Sequence, residues 1–333
     1  MKIAIVGSGA WGTALAIHLV NNGHNVTMWT FETELIPTMN QQRVNPRLTG
    51  AVLPQDLKIS GEYSCVSGCQ MVVIACPSFP MRSVCRGIAP YLDSGAVLVS
   101  VTKGIEDGTA LRMSQVVREE TNHEVVVLSG PSHAEEVALD IPTGLLAACE
   151  DRAMAEFVQD AFMSDTLRVY TSPDPIGAEL GAALKNVIAL CAGVCDGLGY
   201  GDNTKAMLMT RGLTEIARLG LAMGAQKDTF AGLTGVGDLI VTCTSMHSRN
   251  RRAGILIGQG KTPQEAMNEV GAVVEGYYAA KSAWKLAQKM GVDMPITEAA
   301  YRVLYENMNA AEVTSELLMR RKKAESDDAG WSF

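Results

Sequence analysis

The chain has 333 residues, 47% of them hydrophobic and 5% aromatic, with 28 Lys and Arg against 36 Asp and Glu for a net charge of −8. Such a length suggests two domains, each with its own core. The acidic balance argues against nucleic acid or an anionic membrane as a general partner, since either wants a broadly positive face.

Lys2 to Val6 is a short β-branched run of the kind that forms a strand buried on both faces of a parallel sheet. It runs directly into Gly7-Ser8-Gly9-Ala10-Trp11-Gly12, a GxGxxG followed by the small-residue helix pattern of Thr13 to Leu19. The three glycines do different things. Gly7 turns the chain off the strand, Gly9 lets the backbone approach a pyrophosphate, and Gly12 lets the helix pack on the sheet. The helix would aim its free N–H groups and positive dipole end at that pyrophosphate. With a second strand at Asn25 to Trp29, the stretch completes the first βαβ unit of a dinucleotide-binding domain.

Thr30-Phe31-Glu32 falls where such domains choose between cofactors. An acid there accepts bonds from the ribose hydroxyls of NAD, whereas an arginine pairs with the extra phosphate of NADP. Glu32, with no Arg before Arg43, leans the reading to NAD over NADP. Asn45 to Pro54 reads as a turn-rich connector. Further strands are expected at Met71 to Ala75, Ala96 to Val101, Val125 to Leu128, Leu145 to Ala148 and Leu167 to Tyr170, with a helix at Arg152 to Phe162. Ser78 is expected to cap a helix behind Pro77. Ligands of open parallel sheets collect beyond the carboxyl ends of strands. Pro77-Ser78, Lys103-Gly104 and Ser129 to Ala134 all sit at such ends and should line one crevice.

From Ser172-Pro173-Asp174-Pro175 onward strand signals give way to helical periods: Ile176 to Cys195, Asn203 to Met223, Gln264 to Asn268, Glu275 to Met290, Ile296 to Asn307 and Glu312 to Met319. The fold class expected is therefore an α/β N-terminal Rossmann-type dinucleotide-binding domain (1–172) followed by an all-α C-terminal domain (173–320). The charge run after it (321–333) reads as a frayed, solvated tail. Gly177 to Cys195 is interrupted by Glu179 and Lys185 and reads as a buried helix, not a membrane span. No leader is expected ahead of a strand that begins at Lys2. The eight cysteines read as free thiols of a cytoplasmic protein, and Cys243 with His247, lacking a third ligand, makes no metal site.

Three places could carry chemistry. Lys185 lies among Ala182, Ala183, Leu184, Ile188 and Ala189, so it either snorkels out or is held in a cleft, where desolvation would bring its pKa toward that of a general acid. Asp238 follows Gly232, Gly235 and Gly237, which suggests an acid presented at a helix start, though a plain N-terminal role would also explain it. Ser248-Arg249-Asn250-Arg251-Arg252, ahead of an apolar helix, is either a phosphate cradle or a solvated run.

Taken in order, GSGAWGTALA, CPS, TKGIE (Thr102 to Glu106), LSGPSHAEEVA (Leu128 to Ala138), LKN (Leu184 to Asn186), GLTGVGDLIVTC (Gly232 to Cys243), SRNRRAG (Ser248 to Gly254) and VVEG (Val273 to Gly276) resemble the bacterial NAD(P)-dependent glycerol-3-phosphate dehydrogenases over about residues 1 to 320. The resemblance implies that Lys185 is the acid/base acting on the substrate C2 oxygen, that Lys103 helps hold the substrate, and that Asp238 positions or tunes Lys185. It implies substrate contacts from Gly130, Ser132, Asn186, Thr242, Ser248, Arg249 and Asn250. Cofactor contacts are implied from Gly7, Gly9, Ala10, Trp11, Gly12, Phe31, Lys103, Ala134, Arg249, Val273 and Glu275, together with a role in glycerophospholipid synthesis and a homodimer. Many relatives carry a basic residue near Phe31, which this chain lacks. Two other readings stand beside this one: a related two-domain β-hydroxyacid or sugar-acid dehydrogenase, which would need a carboxylate site, and a dinucleotide-sensing regulator, whose mark would be loss of the Lys185/Asp238 pair.

Overall fold

The computed structural model describes residues 1–322 and 324–325. Its first part alternates strand and helix: β1 (Lys2–Val6), α1 (Ala10–Asn21), β2 (Asn25–Trp29), α2 (Ile36–Gln42), β3 (Lys58–Ser60), β4 (Met71–Ile74), α3 (Met81–Ile88), β5 (Val97–Ser100), α4 (Met113–Thr121), β6 (Val125–Ser129), α5 (Ala134–Val137), β7 (Thr143–Ala148), α6 (Arg152–Phe162) and β8 (Leu167–Ser172). These strands form one sheet in the order β3-β2-β1-β4-β5-β6-β7-β8. The first six are parallel, β7 runs antiparallel to β6, and β8 is again parallel to β7. The order reverses between β1 and β4, and there a doubly wound sheet opens its ligand crevice. Ile3, Ile5 and Met28 pack on one face against Leu15, Leu19 and Phe162. Ala4, Val6, Val72 and Ile74 pack on the other against Met81, Val84 and Val116. Both faces are covered, so the inner strands read as continuous apolar runs.

The second part is helical: α7 (Pro175–Gly197), α8 (Asp202–Ala222), α9 (Lys227–Ala231), a π-helical turn (Leu233–Gly237), α10 (Asp238–Thr244), α11 (Arg249–Gly258), α12 (Pro263–Val270), α13 (Glu275–Met290), α14 (Pro295–Tyr305) and α15 (Ala310–Leu318). Its axis is α7, long and apolar enough to cross a membrane by length and composition, yet with 94% of its most apolar window buried inside the protein. Asp174 starts the helix by accepting bonds from Gly177 N (2.8 Å), Gln226 N (2.8 Å) and Thr229 Oγ1 (2.6 Å). Glycines on α7 and α11 face each other so closely that a Cβ at Gly193 or Gly254 would strike the opposing backbone carbonyl, of Arg251 or Leu190 respectively. The parts are tied by Glu179 of α7, which accepts from Ser114 N and Ser114 Oγ, each at 2.7 Å, and from Arg112.

Several sequence expectations need correction. Ser78 is not a cap: α3 starts at Met81 behind Pro80, and the Ser78 hydroxyl is committed across the crevice to Glu275. β3 and the short helices α2 and α4 carry too few periodic positions to be read from the sequence. The sheet is not wholly parallel, because β7 enters reversed. Of the tail placed at 321–333, residue 323 and residues 326–333 lie outside the described residues, and the Glu325 carbonyl accepts from Arg211 of α8.

Candidate active site

The glycine loop is shaped for a pyrophosphate. Gly7 holds φ +129°, and a Cβ there would press on Ala75 at 2.8 Å, while Gly12 lies against the Gly7 carbonyl. Gly9, the residue before α1, faces open space with nothing within 4 Å of where a Cβ would be. No side chain caps α1, so the amides of its first turn, at Ala10 to Gly12, are left to an anion. Asn45, read as part of a connector, braces the loop through Ser8 O (2.8 Å) and Thr13 Oγ1 (2.7 Å).

Phe31 is 83% exposed just after β2, where a nucleobase would lie. Beside it the fold overturns the premise of the NAD lean. Arg47 comes in from the connector and pairs with Glu32, its Nε 3.1 Å from Oε2 and its second guanidinium nitrogen on Oε1. Arg43, nearer in sequence, is instead spent on the carbonyls of Leu53, Pro54 and Leu57.

The centre of the site is a triad of charges. Lys185 of α7 does not snorkel: it is 5% exposed, and its Nζ donates to Asp238 Oδ1 and to Thr242 Oγ1 at 2.5 Å. Lys103, from the loop after β5, donates to Asp238 Oδ2 at 2.7 Å and to the Gly130 carbonyl at 3.0 Å. Thr242 returns its own hydroxyl to the Asp238 carbonyl at 2.6 Å, so one turn of α10 presents both groups to α7. The π-helical turn before α10 seats Asp238 this deeply, and Gly181 of α7 meets it at the Thr234 carbonyl. Burial pushes the Lys185 ammonium down to about 8, aided by Lys103 and opposed by Asp238. For Asp238 burial pulls upward, but the two ammonium groups outweigh it and hold the carboxyl below its usual range.

Other expected residues gather around this triad. Ser132 donates to the Gly130 carbonyl at 3.0 Å. Ser248 caps α11 by accepting from Arg251 N at 3.2 Å. Asn250 donates to Asn186 at 2.9 Å and accepts from Gly276 N at 2.8 Å. Arg251 is held by Asp196 at 2.8 Å, whereas Arg249 stays exposed near Glu275. Glu275 accepts from Ser78 Oγ at 2.8 Å, and burial pushes its carboxyl upward against that bond. Gly104 touches Ser78, and Ala134 opens α5, so the three polar strand ends do line one crevice. Asn45, Arg47 and the Ser78–Glu275 bond escape a reading of the sequence, because each depends on loops whose course spacing does not reveal.

Two family models cover nearly the whole chain: the N-terminus of NAD-dependent glycerol-3-phosphate dehydrogenase over residues 2–155 and its C-terminus over 174–315. A relative from Clostridium perfringens, named glycerol-3-phosphate dehydrogenase [NAD(P)+], is 51% identical over 327 residues, 97% of this chain and 99% of its own. The crystal structure of a glycerol-3-phosphate dehydrogenase from Coxiella burnetii superposes with a TM-score of 0.92 at 36% identity, covering 96% of this chain and 99% of that one. A D-mandelate dehydrogenase structure shares the fold alone, at TM-score 0.65 and 14% identity. With both family models and the close relatives agreeing on glycerol-3-phosphate dehydrogenase, the β-hydroxyacid alternative is not favoured.

Proposed function

Since the chain belongs to the NAD-dependent glycerol-3-phosphate dehydrogenase family, we propose that its crevice interconverts dihydroxyacetone phosphate and sn-glycerol 3-phosphate, with Lys185 as the proton donor and acceptor. One observation carries this reading: ammonium groups from the sheet and from the helical part meet on the two oxygens of a single buried carboxylate. The dinucleotide, when bound, supplies or accepts the hydride at the C2 carbon. As the ketone oxygen gains charge, Lys185 gives it a proton, and the ketone, one hydride and one proton make the secondary alcohol. Asp238 holds Lys185 in place, and Lys103 adds a second positive charge without transferring its own proton. Arg249, Ser248 and Asn250, with Gly130 and Ser132, grip the phosphate, and Asn186 and Thr242 fix the reacting end. Gly7, Gly9, Ala10, Trp11 and Gly12 receive the pyrophosphate side of the dinucleotide, and Phe31, Ala134, Val273 and Glu275 its flanks.

A steady-state assay of dihydroxyacetone phosphate reduction with each reduced nucleotide tests the reading, and no turnover with either would end it. Arg249→Ala is expected to raise KM for the ketone about 10- to 100-fold, the worth of one charge-assisted bond to phosphate, with a smaller change in kcat. An unchanged KM would place the phosphate elsewhere.

For the cofactor, the Glu32–Arg47 pair supports use of both forms, with Glu32 serving the ribose hydroxyls of NAD and Arg47 free to turn to the phosphate of NADP. Arg47→Ala is expected to lower kcat/KM for NADPH about tenfold while changing that for NADH less than threefold. Equal losses with both would remove Arg47 from selection. We place the domain boundary at 172/173, where β8 hands over to α7. The enzyme is read as a cytoplasmic homodimer supplying glycerophospholipid synthesis, the pairing being supported by apolar side chains left at the surface of α8, Met207 and Leu221.

A further inference from the structure

Two histidines face each other across the crevice, and no step above uses them. His133 comes from the loop between β6 and α5, between Ser132 and Ala134, and His247 from the turn just ahead of Ser248. Their rings lie 5.6 Å apart, centre to centre, at 51°. His133 Nε2 is buried without a hydrogen-bond partner, although native proteins satisfy nearly all such atoms. A buried ring nitrogen with nothing to bond, inside a ring of residues assigned to a phosphate, is accounted for by a ligand atom that completes it.

We infer that His133 and His247 form a two-imidazole clamp in the phosphate subsite, which takes up one proton when a phosphate monoester dianion binds and donates N–H bonds to it. The inference rests on the reading of this crevice as a site for a phosphate-bearing substrate. Without the anion, His133 resists protonation: burial comes first, and the Lys185 ammonium of α7 and the neighbouring His247 add to it, against Glu135 and Glu136 of its own helix. An incoming dianion reverses that balance, because it brings two negative charges where Lys185 had made a third cation costly. Arg249 and the two imidazoles then reach the phosphate from both parts of the molecule.

The test is the KM for dihydroxyacetone phosphate at pH 6.5 and pH 8.5 in the wild type, His133→Asn and His247→Asn. Each variant is expected to raise KM about tenfold at pH 6.5, more than it changes kcat, and to fall within about twofold of the wild type at pH 8.5. A ratio that stays constant with pH, as a merely structural role would give, or a KM within twofold at both, overturns the clamp. His247 is exposed on a turn, so its variant carries the test if His133→Asn fails to fold. Should the wild type reduce no dihydroxyacetone phosphate, the functional reading fails separately. The clamp is then decided by calorimetry with inorganic phosphate in buffers of different ionisation enthalpy. Uptake of about one proton at pH 7.5 that is lost in His247→Asn supports it, and no uptake ends it.

Discussion

Lys185→Ala is expected to lower kcat for ketone reduction by about 10³- to 10⁴-fold, the upper part of the range for removing a positioned proton donor. The nucleotide should still bind, because the glycine loop and α1 are remote from the substitution; titration of NADH or NADPH by protein fluorescence would show it. The pH profile makes the expectation sharper. With the ammonium brought down to about 8, reduction needs the protonated form and should fall as pH rises through about 8, whereas oxidation of the alcohol needs the free amine and should rise over the same window. Lys185→Ala should lose both limbs. Turnover within tenfold of the wild type, or a profile that keeps its inflection near 8, would remove Lys185 from proton transfer.

Asp238→Ala should be the most damaging substitution for stability. It leaves two ammonium groups facing one another with no carboxylate between them, and a broken buried ion pair costs about 3–5 kcal/mol, measurable by denaturant titration. Without Asp238, Lys185 loses the one strong influence that raises its pKa, so its folded value falls further below the ordinary lysine value. A cation whose pKa is depressed by folding destabilises the folded state most at low pH, and the deficit shrinks as pH rises and the ammonium groups discharge. Asp238→Ala should therefore lose activity and stability together at pH 7 and recover part of its stability above pH 9. A variant as stable as the wild type at pH 7 would mean that the two lysines do not depend on this carboxylate.

The sequence showed the glycine loop, seven of the eight strands and the long helices, because each rests on a local pattern: a period, a glycine whose Cβ has no room, a motif. The roles of Lys103, Lys185 and Asp238 came from the family resemblance. What it left open depended on where loops travel. Lys185 could not be told from a snorkelling lysine until α10 closed over it, and Asp238 does start a helix, α10, but its burial became visible only with the π-helical turn that carries it into the core. Glu32 has no arginine close to it along the chain, yet the connector brings Arg47 to it in space. β3, three residues long, has no room to show alternation, and it is recognised only by its pairing with β2.

The close approach of α7 and α11 has its own consequence. Lys185 rides on one of these helices and Ser248 to Asn250 stand at the head of the other, so the gap between the proposed proton donor and the proposed phosphate grip is set by four positions that carry no side chain, Gly193, Gly197, Gly254 and Gly258. A single added methyl group there would wedge the two helices apart and retune the enzyme from a distance. Truncating side chains one at a time would never reveal it, since the parts that fix the spacing have nothing to truncate.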